Sequence, residues 1–339
     1  MRAPFPYFGG KSRIAETIWM AIGDVQNYVE PFAGSAAVLL ARPDGHTWWQ
    51  RTETINDADG LVSNFWRAVQ AAPDAVAHHA DWPVIECDLH ARHAAIVAEL
   101  PGLTARIEGD ATYFDARIAG WWVWGICCWI GSGFASGNGP WRVVDGELVN
   151  TRTAGQGINR QLPHLGDAGQ GINRQLPHNG TAGQGHCAVW HEHLLTMMSA
   201  LSNRLRRVRV CSGDWTRVLS DSVTIRHGTT GVLLDPPYAL DGRQIGLYRH
   251  DTDISSAVRA WAITNGDNPL YRIVLCGYDS DHEMPESWRE IAWKASKGYG
   301  GQRAEGSNEN RHRERLWLSP HCLADDAVLP LFAGLEVAS

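Results

Sequence analysis

The sequence predicts an α/β fold built on a parallel sheet, and three strand ends carry that prediction. They are Asn27-Tyr28-Val29-Glu30-Pro31, Thr54-Ile55-Asn56-Asp57 and Gly231-Val232-Leu233-Leu234-Asp235-Pro236-Pro237-Tyr238. Each is a short, mainly apolar strand that stops at an acid or a proline. The first two run on into helical periodicity, the alternation of a parallel α/β sheet. In open sheets of this kind, ligands lie beyond the carboxyl ends of the strands.

Bulk properties narrow the function classes. A chain of 339 residues has room for two domains, or for one large domain with an insertion. Its 44% hydrophobic and 20% charged residues are those of an ordinary globular protein. A net charge of -7 excludes a uniformly basic nucleic-acid-binding surface, so any such surface is local. Seven cysteines without a CxxC pair make neither a disulfide framework nor a zinc site, and they point to a reducing, cytoplasmic setting. The N-terminus lacks the apolar core of a signal peptide. The most apolar run, Trp121 to Ile130, is too short to span a bilayer.

Taken in order, the chain opens with Phe5-Pro6-Tyr7-Phe8-Gly9-Gly10-Lys11-Ser12. Paired glycines let backbone approach a ligand closely, and Lys11 adds a cation. The spacing lacks the first glycine of a P-loop, and a capped helix start explains it equally well. Ile14, Ile18 and Ile22 then recur at helical spacing. Glu30-Pro31-Phe32-Ala33-Gly34-Ser35-Ala36 is a strand-to-helix turn of small residues, suited to a ligand or to close helix packing. In Asn56-Asp57-Ala58-Asp59 an acid stands where ribose hydroxyls are commonly held; both acids also suit a helix cap. Leu61, Phe65, Ala68 and Val69 make the amphipathic helix that follows.

From about Ala72 the pattern changes. His90 to Leu100 is helical, and Tyr113 to Phe134 reads as a buried, tryptophan-rich helix leading into a flexible glycine loop. The histidines here are spaced too irregularly for a metal site. Ala154 to His164 then returns unchanged at Ala168 to His178, and a third copy starts at Ala182. This period of 14 is too short for common solenoids. Its Arg, Asn and Gln side chains suit phosphates and base edges, or else the segment is a surface loop lengthened by duplication.

Helical periodicity resumes from Ala188 to Leu205, then Val208 to Trp215 reads as strand and turn. Arg204, Arg206, Arg207 and Arg209 form a basic cluster, facing phosphate or merely a solvated strand edge. At Asp235 the following prolines end the strand abruptly and stiffen the backbone. A carboxylate, the Pro236 carbonyl and the Tyr238 ring suit a planar base with an exocyclic amino group, although a plain turn has the same residues. Ile273 to Tyr278 is the next strand, and Trp288 to Ala295 with Arg313 to Leu318 form a terminal pair. Between them lies a basic, glycine-rich loop containing Lys297 and Arg303, a strip for a DNA backbone or a hairpin tip.

Gly9-Gly10-Lys11, Glu30-Pro31-Phe32-Ala33-Gly34, Asn56-Asp57 and Asp235-Pro236-Pro237-Tyr238 stand in an order that resembles Dam-like DNA adenine-N6 methyltransferases, phage-encoded members above all. The resemblance covers roughly residues 1–70 and 190–320. It implies a Rossmann-like S-adenosylmethionine-dependent methyltransferase sheet with an inserted, mostly helical and loop-rich target-recognition domain. The catalytic domain would be residues 1–79 and 186–339, and the insertion residues 80–185. It implies a cofactor site at Tyr7, Gly10, Lys11, Glu30, Pro31, Phe32, Gly34, Asp57, Asp214 and Trp215. Catalysis would fall to Asp235, Pro236, Pro237 and Tyr238, without a metal. The partner would be double-stranded DNA, touched by Arg160, Arg174, Arg206, Lys297 and Arg303, with no obligate protein partner and no membrane. Ser35-Ala36 departs from the family, which often has further glycines there. Methylation of cytosine N4, of protein glutamine, or DNA binding without catalysis are the alternatives.

Overall fold

β1 (Asn27–Glu30) is flanked on both sides by parallel strands, β2 (Thr52–Asp57) and β6 (Thr230–Leu234). In this computed structural model the described residues are 1–7, 9–43, 51–110, 112–129, 134–135, 141–144, 147–150, 187–237, 254–293 and 313–323. The 14-residue repeat with Arg160 and Arg174, the basic loop with Lys297 and Arg303, and Tyr238 lie outside them. Of residues 141–144, 147–150 and 187–191 the backbone is described.

A hairpin, β3 (Trp141–Val144) and β4 (Glu147–Asn150), stands apart from the main sheet. The sheet is completed by β5 (Val208–Ser212), β7 (Tyr271–Tyr278), β8 (Arg289–Ala292) and β9 (Glu314–Leu318). Its order is β5-β2-β1-β6-β7-β9-β8, with β8 and β9 the antiparallel pair at one edge. From β1 the chain builds outward through β2 to β5, then returns to β6 and builds the other way. The reversal between β1 and β6 opens a crevice at their carboxyl ends, where such sheets bind ligands. The seven-stranded, mostly parallel sheet is the Rossmann-like methyltransferase architecture expected above.

Apolar runs mark the central strands because both faces are covered. Tyr28, Leu233 and Val274 face one core with Ile18, Leu39, Phe65 and Trp66. Their strand neighbours Val29, Val232, Leu234, Ile273 and Leu275 face a second core with Val258 and Trp317. The alternation follows from side chains pointing to opposite faces of a pleated strand.

Helices α1 (Ala15–Ile22), α2 (Ala37–Leu40) and α3 (Gly60–Ala71) follow the expected order. Asp59 caps α3 by accepting from Leu61 N at 2.8 Å, so this acid is the cap and Asp57 is left for another role. Next come α4 (Pro73–Ala80), α5 (Glu86–Gly109) and α6 (Ala116–Cys128), which share the first core through Val76, Ile96, Leu103 and Trp122. The expected helix ended at Leu100; α5 continues through Pro101 to Gly109. Buried Leu89, His93, Ile96, Leu103 and Ile107 keep one stripe across the proline, so core burial outweighs the lost hydrogen bond. The long α7 (Cys187–Leu205) leads into β5, and α8 (Ser255–Gly266) lies between β6 and β7.

Arg204 on α7 corrects the reading of a phosphate-facing cluster. Its guanidinium donates to both oxygens of Glu53, at 2.6 and 2.9 Å, and to Leu39 O. Glu53 also accepts from Arg42 at 3.0 Å, so Arg204 ties the returning chain to β2. Arg206 is exposed in the turn between α7 and β5. Among the described residues no helix is long and apolar enough to cross a membrane.

Candidate active site

Register sets the geometry of the site. Glu30 pairs with Ile55 and Val29 with Val232. Continuing these registers by two and three residues brings Asp57 and Asp235 level with Phe32, one on each side. Between and around them opens a cavity of about 370 Å³. It is lined by Tyr7, Gly10, Lys11, Glu30, Pro31, Phe32, Gly34, Asp57, Asp214 and Trp215, all of the expected cofactor residues, together with Asp235 and Pro237. Pro236 is buried beside it and does not line it, and neither does Arg206. Tyr238 lies outside the described residues.

The turn after β1 is held by its neighbours. Ala33 N donates to Asn56 O at 2.9 Å, and Asn56 Nδ2 donates to Pro31 O at 3.0 Å and to Gly213 O at 2.9 Å. Asn56 thus stitches the ends of three strands. Gly34 has a left-handed φ of 46°, and a Cβ there would meet the Tyr7 ring at 2.5 Å. Only glycine allows both the turn and this ring contact. Ala36 also adopts a left-handed conformation, φ 49° and ψ 33°, at the position where the resembled family favours glycine. That costs an L-residue about 1–2 kcal/mol.

Asp57 is fixed by backbone. Its Oδ2 accepts from Gly34 N at 2.8 Å and its Oδ1 from Asp59 N at 2.8 Å. Burial, with the Asp59 carboxylate close by, pushes its pKa up to about 7 despite those hydrogen bonds. Its remaining lone pairs face the cavity, where they can accept from hydroxyls. Glu30, 3% exposed, accepts from the Tyr28 hydroxyl at 3.1 Å and Leu39 N at 3.3 Å. Burial pushes its pKa up to about 8. Phe32 and Trp215 present stacked rings with centroids 6.1 Å apart. Asp214 Oδ1 accepts from Thr216 N at 2.9 Å and caps the short 3-10 turn Trp215–Val218.

Asp235 is held differently. Lys11 Nζ donates to its Oδ1 at 2.7 Å and its Oδ2 at 2.8 Å, and to Gly9 O at 2.8 Å. The Lys11 side chain is 3% exposed and that of Asp235 19%. Burial works against the ammonium, but the Asp235 carboxylate outweighs it and holds the Lys11 pKa above its ordinary value. The Trp293 ring stands 6.0 Å from the same ammonium. Lys11, expected at the cofactor, therefore makes its shortest contacts with the carboxylate expected to hold the acceptor. That pairing spans 224 residues of chain and was not read from the sequence. The sequence also gave no sign of Thr104 and Glu108, which reach the cavity from α5.

Residues 7–82 match the model of the D12 class N6 adenine-specific DNA methyltransferase family. No curated protein matches the chain. The matched segment holds three of the four motifs that carry the resemblance. The fourth, at Asp235, lies outside it and joins the others through the cavity. Enzymes of this class transfer the methyl group of S-adenosylmethionine to adenine N6 in DNA.

Proposed function

We propose that this chain, an adenine-N6 DNA methyltransferase by its D12 class match, holds its acceptor at Asp235 and its S-adenosylmethionine donor between Asp57, Phe32 and Trp215. The observation that supports this most is the pair of carboxylates level with Phe32 on either side of β1, facing one cavity. The cavity fits the donor by chemistry: acids for hydroxyl and cationic groups, aromatic faces for a purine, and a glycine turn that admits close approach.

The donor supplies a methyl group on a sulfonium. Asp57 accepts ribose hydroxyls, the role of an acid at this strand end. Phe32 and Trp215 offer faces to the base of the cofactor. Asp235 and the Pro236 carbonyl accept the two hydrogens of the adenine amino group. Its lone pair, otherwise delocalised into the ring, is thereby freed and aimed, so catalysis rests on positioning and electrostatics. Burial raises the Asp235 pKa, and Lys11 opposes that rise and so favours the ionised, accepting form. The same carboxylate takes up the proton that the methylated nitrogen sheds. Tyr238 supplies a stacking face for the flipped adenine.

Residues 1–79 and 186–339 form the catalytic domain and residues 80–185 the target-recognition insertion in this reading. Arg206, with Arg160, Arg174, Lys297 and Arg303, contacts the DNA backbone. The six described cysteine side chains are free thiols, in keeping with a cytoplasmic setting.

The test is to incubate the protein with unmethylated duplex DNA and S-adenosylmethionine and to map modified bases by sequencing and nucleoside analysis. N6-methyladenine is expected. Asp235→Ala is expected to lower its formation at least ~100-fold, the usual cost of a transition-state contact, with cofactor affinity kept. N4-methylcytosine in its place, or activity of Asp235→Ala within about tenfold of wild type, would overturn the acceptor assignment.

A further inference from the structure

We infer that the cofactor site is not confined to the sheet: Thr104 and Glu108 of α5, within the proposed recognition insertion, bind the nucleoside end of S-adenosylmethionine. The inference rests on the proposed identity of the cavity. Both residues line that cavity, and they are one helical turn apart, so they share a face of α5.

Their placement is rigid. A Cβ on Gly60, at the start of α3, would meet Thr104 Oγ1 at 2.5 Å, so the two helices touch at that glycine. Leu103 and Ile107 are buried in the core on either side of this contact. Arg67 of α3 reaches over the end of α5 and donates to Ile107 O at 3.1 Å, Asp110 O at 2.9 Å and Tyr113 O at 2.9 Å. Glu108 is thus carried on a pinned helix end, next to the turn that holds Asp57 and Asp59. This is the β2 side of the cavity, where ribose hydroxyls are expected.

Glu108 also breaks a local rule. It sits in the last turn of α5, where the exposed carbonyls disfavour a negative charge. Glu108 is exposed, and among the described residues its carboxylate has no hydrogen-bond partner, so its lone pairs are open to a ligand in the cavity it lines. A ribose, with two hydroxyl donors, supplies hydrogen bonds to such an acceptor.

The experiment is titration calorimetry of wild type, Glu108→Gln, Thr104→Val and Asp57→Ala with S-adenosylhomocysteine and with 5′-methylthioadenosine, which has the nucleoside but no amino-acid tail. Melting temperatures without ligand are measured alongside. Glu108→Gln is expected to weaken both ligands by roughly tenfold or more, the loss of a charged hydrogen bond, while the ligand-free melting temperature holds or rises. Thr104→Val is expected to weaken both by a smaller factor. If Asp57→Ala weakens binding and Glu108→Gln stays within about twofold of wild type, the inference fails and the proposed function stands. A loss with S-adenosylhomocysteine alone would overturn the assignment to the nucleoside end. A fall in affinity matched by a fall in ligand-free stability would assign Glu108 to the fold and overturn the inference. If wild type binds neither ligand, the cavity is not the cofactor site and the proposed function fails with it.

Discussion

The strands on either side of β1 end alike and are used differently. Each ends in a buried or half-buried aspartate level with Phe32. Asp57 is held by two backbone N–H groups, which fix its direction but leave burial to push its pKa up to about 7. Asp235 is held by an ammonium on both oxygens. Backbone donors position a carboxylate while leaving it able to take a proton near neutrality. Burial raises the Asp235 pKa too, but the buried ammonium both positions the carboxylate and opposes that rise, favouring the charged form. The first suits a group that grips hydroxyls; the second suits a group that must remain an acceptor.

The largest effect expected from breaking this contrast is at Lys11. Lys11→Met leaves Asp235 without its counter-ion, so its pKa rises and the ionised form needs a higher pH. Methyl transfer at pH 7 should fall by about 100-fold or more, recovering about tenfold per pH unit on the alkaline side. The measurement is the pH profile of kcat. A raised KM for S-adenosylmethionine with an unmoved profile would assign Lys11 to the cofactor instead.

Next in size is the pH dependence of cofactor binding. Asp57 accepts hydroxyls best as a carboxylate, and its pKa of about 7 means that it gains a proton as pH falls below that value. Cofactor affinity should therefore weaken below pH 7, by up to about tenfold per unit. Calorimetry between pH 5.5 and 8.5 checks this, and Asp57→Asn should flatten the slope.

Glu30 sharpens the comparison from below, as a third strand-end acid with no ammonium and one long backbone contact, from Leu39 N at 3.3 Å. Its pKa, raised from about 4.5 to about 8, means the folded protein keeps a proton that the unfolded chain has released. That proton favours folding less and less as pH rises through this window, so the group lowers stability towards pH 8. Glu30→Gln should raise the melting temperature relative to wild type, more at pH 8 than at pH 5. An equal difference at both pH values would count against the raised pKa.

The smallest effect is expected at Ala36. Ala36→Gly relieves a left-handed alanine worth about 1–2 kcal/mol, and loses a buried methyl worth about 0.8 kcal/mol. The melting temperature should rise by no more than about 4 °C. A clear fall would mean that the methyl packs into the turn more tightly than its left-handed backbone strains it.

The strand ends were legible because acids and prolines punctuate them. Asn27–Glu30, Thr52–Asp57 and Thr230–Leu234 lie within a residue or two of where periodicity put them. α8 was missed, since Ser255–Gly266 mixes polar and apolar residues without a clear stripe. The β3–β4 hairpin was missed although Asp145-Gly146 between two β-rich runs is a known hairpin signal. Within the site, residues beside a strand end could be named, because position along the strand fixes position in the crevice. The Lys11–Asp235 pair and the reach of α5 could not, because they depend on how distant segments pack, and periodicity carries no such information.

Asn56 binds Pro31 O and Gly213 O, and Gly213 N binds Asp57 O at 3.0 Å. These bonds join the carboxyl ends of β2 and β5, the two parallel strands linked by the crossover that includes α3 to α7 and the sequence repeat. Two strands fixed to each other by their own ladder and by bonds at their carboxyl ends keep their register whatever the length of the chain that links them. The duplicated 14-residue unit falls inside that stretch. The chemistry of the strand ends and the length of the intervening chain are thus free to evolve on separate schedules, and an in-frame copy gained or lost there leaves the catalytic frame as it was.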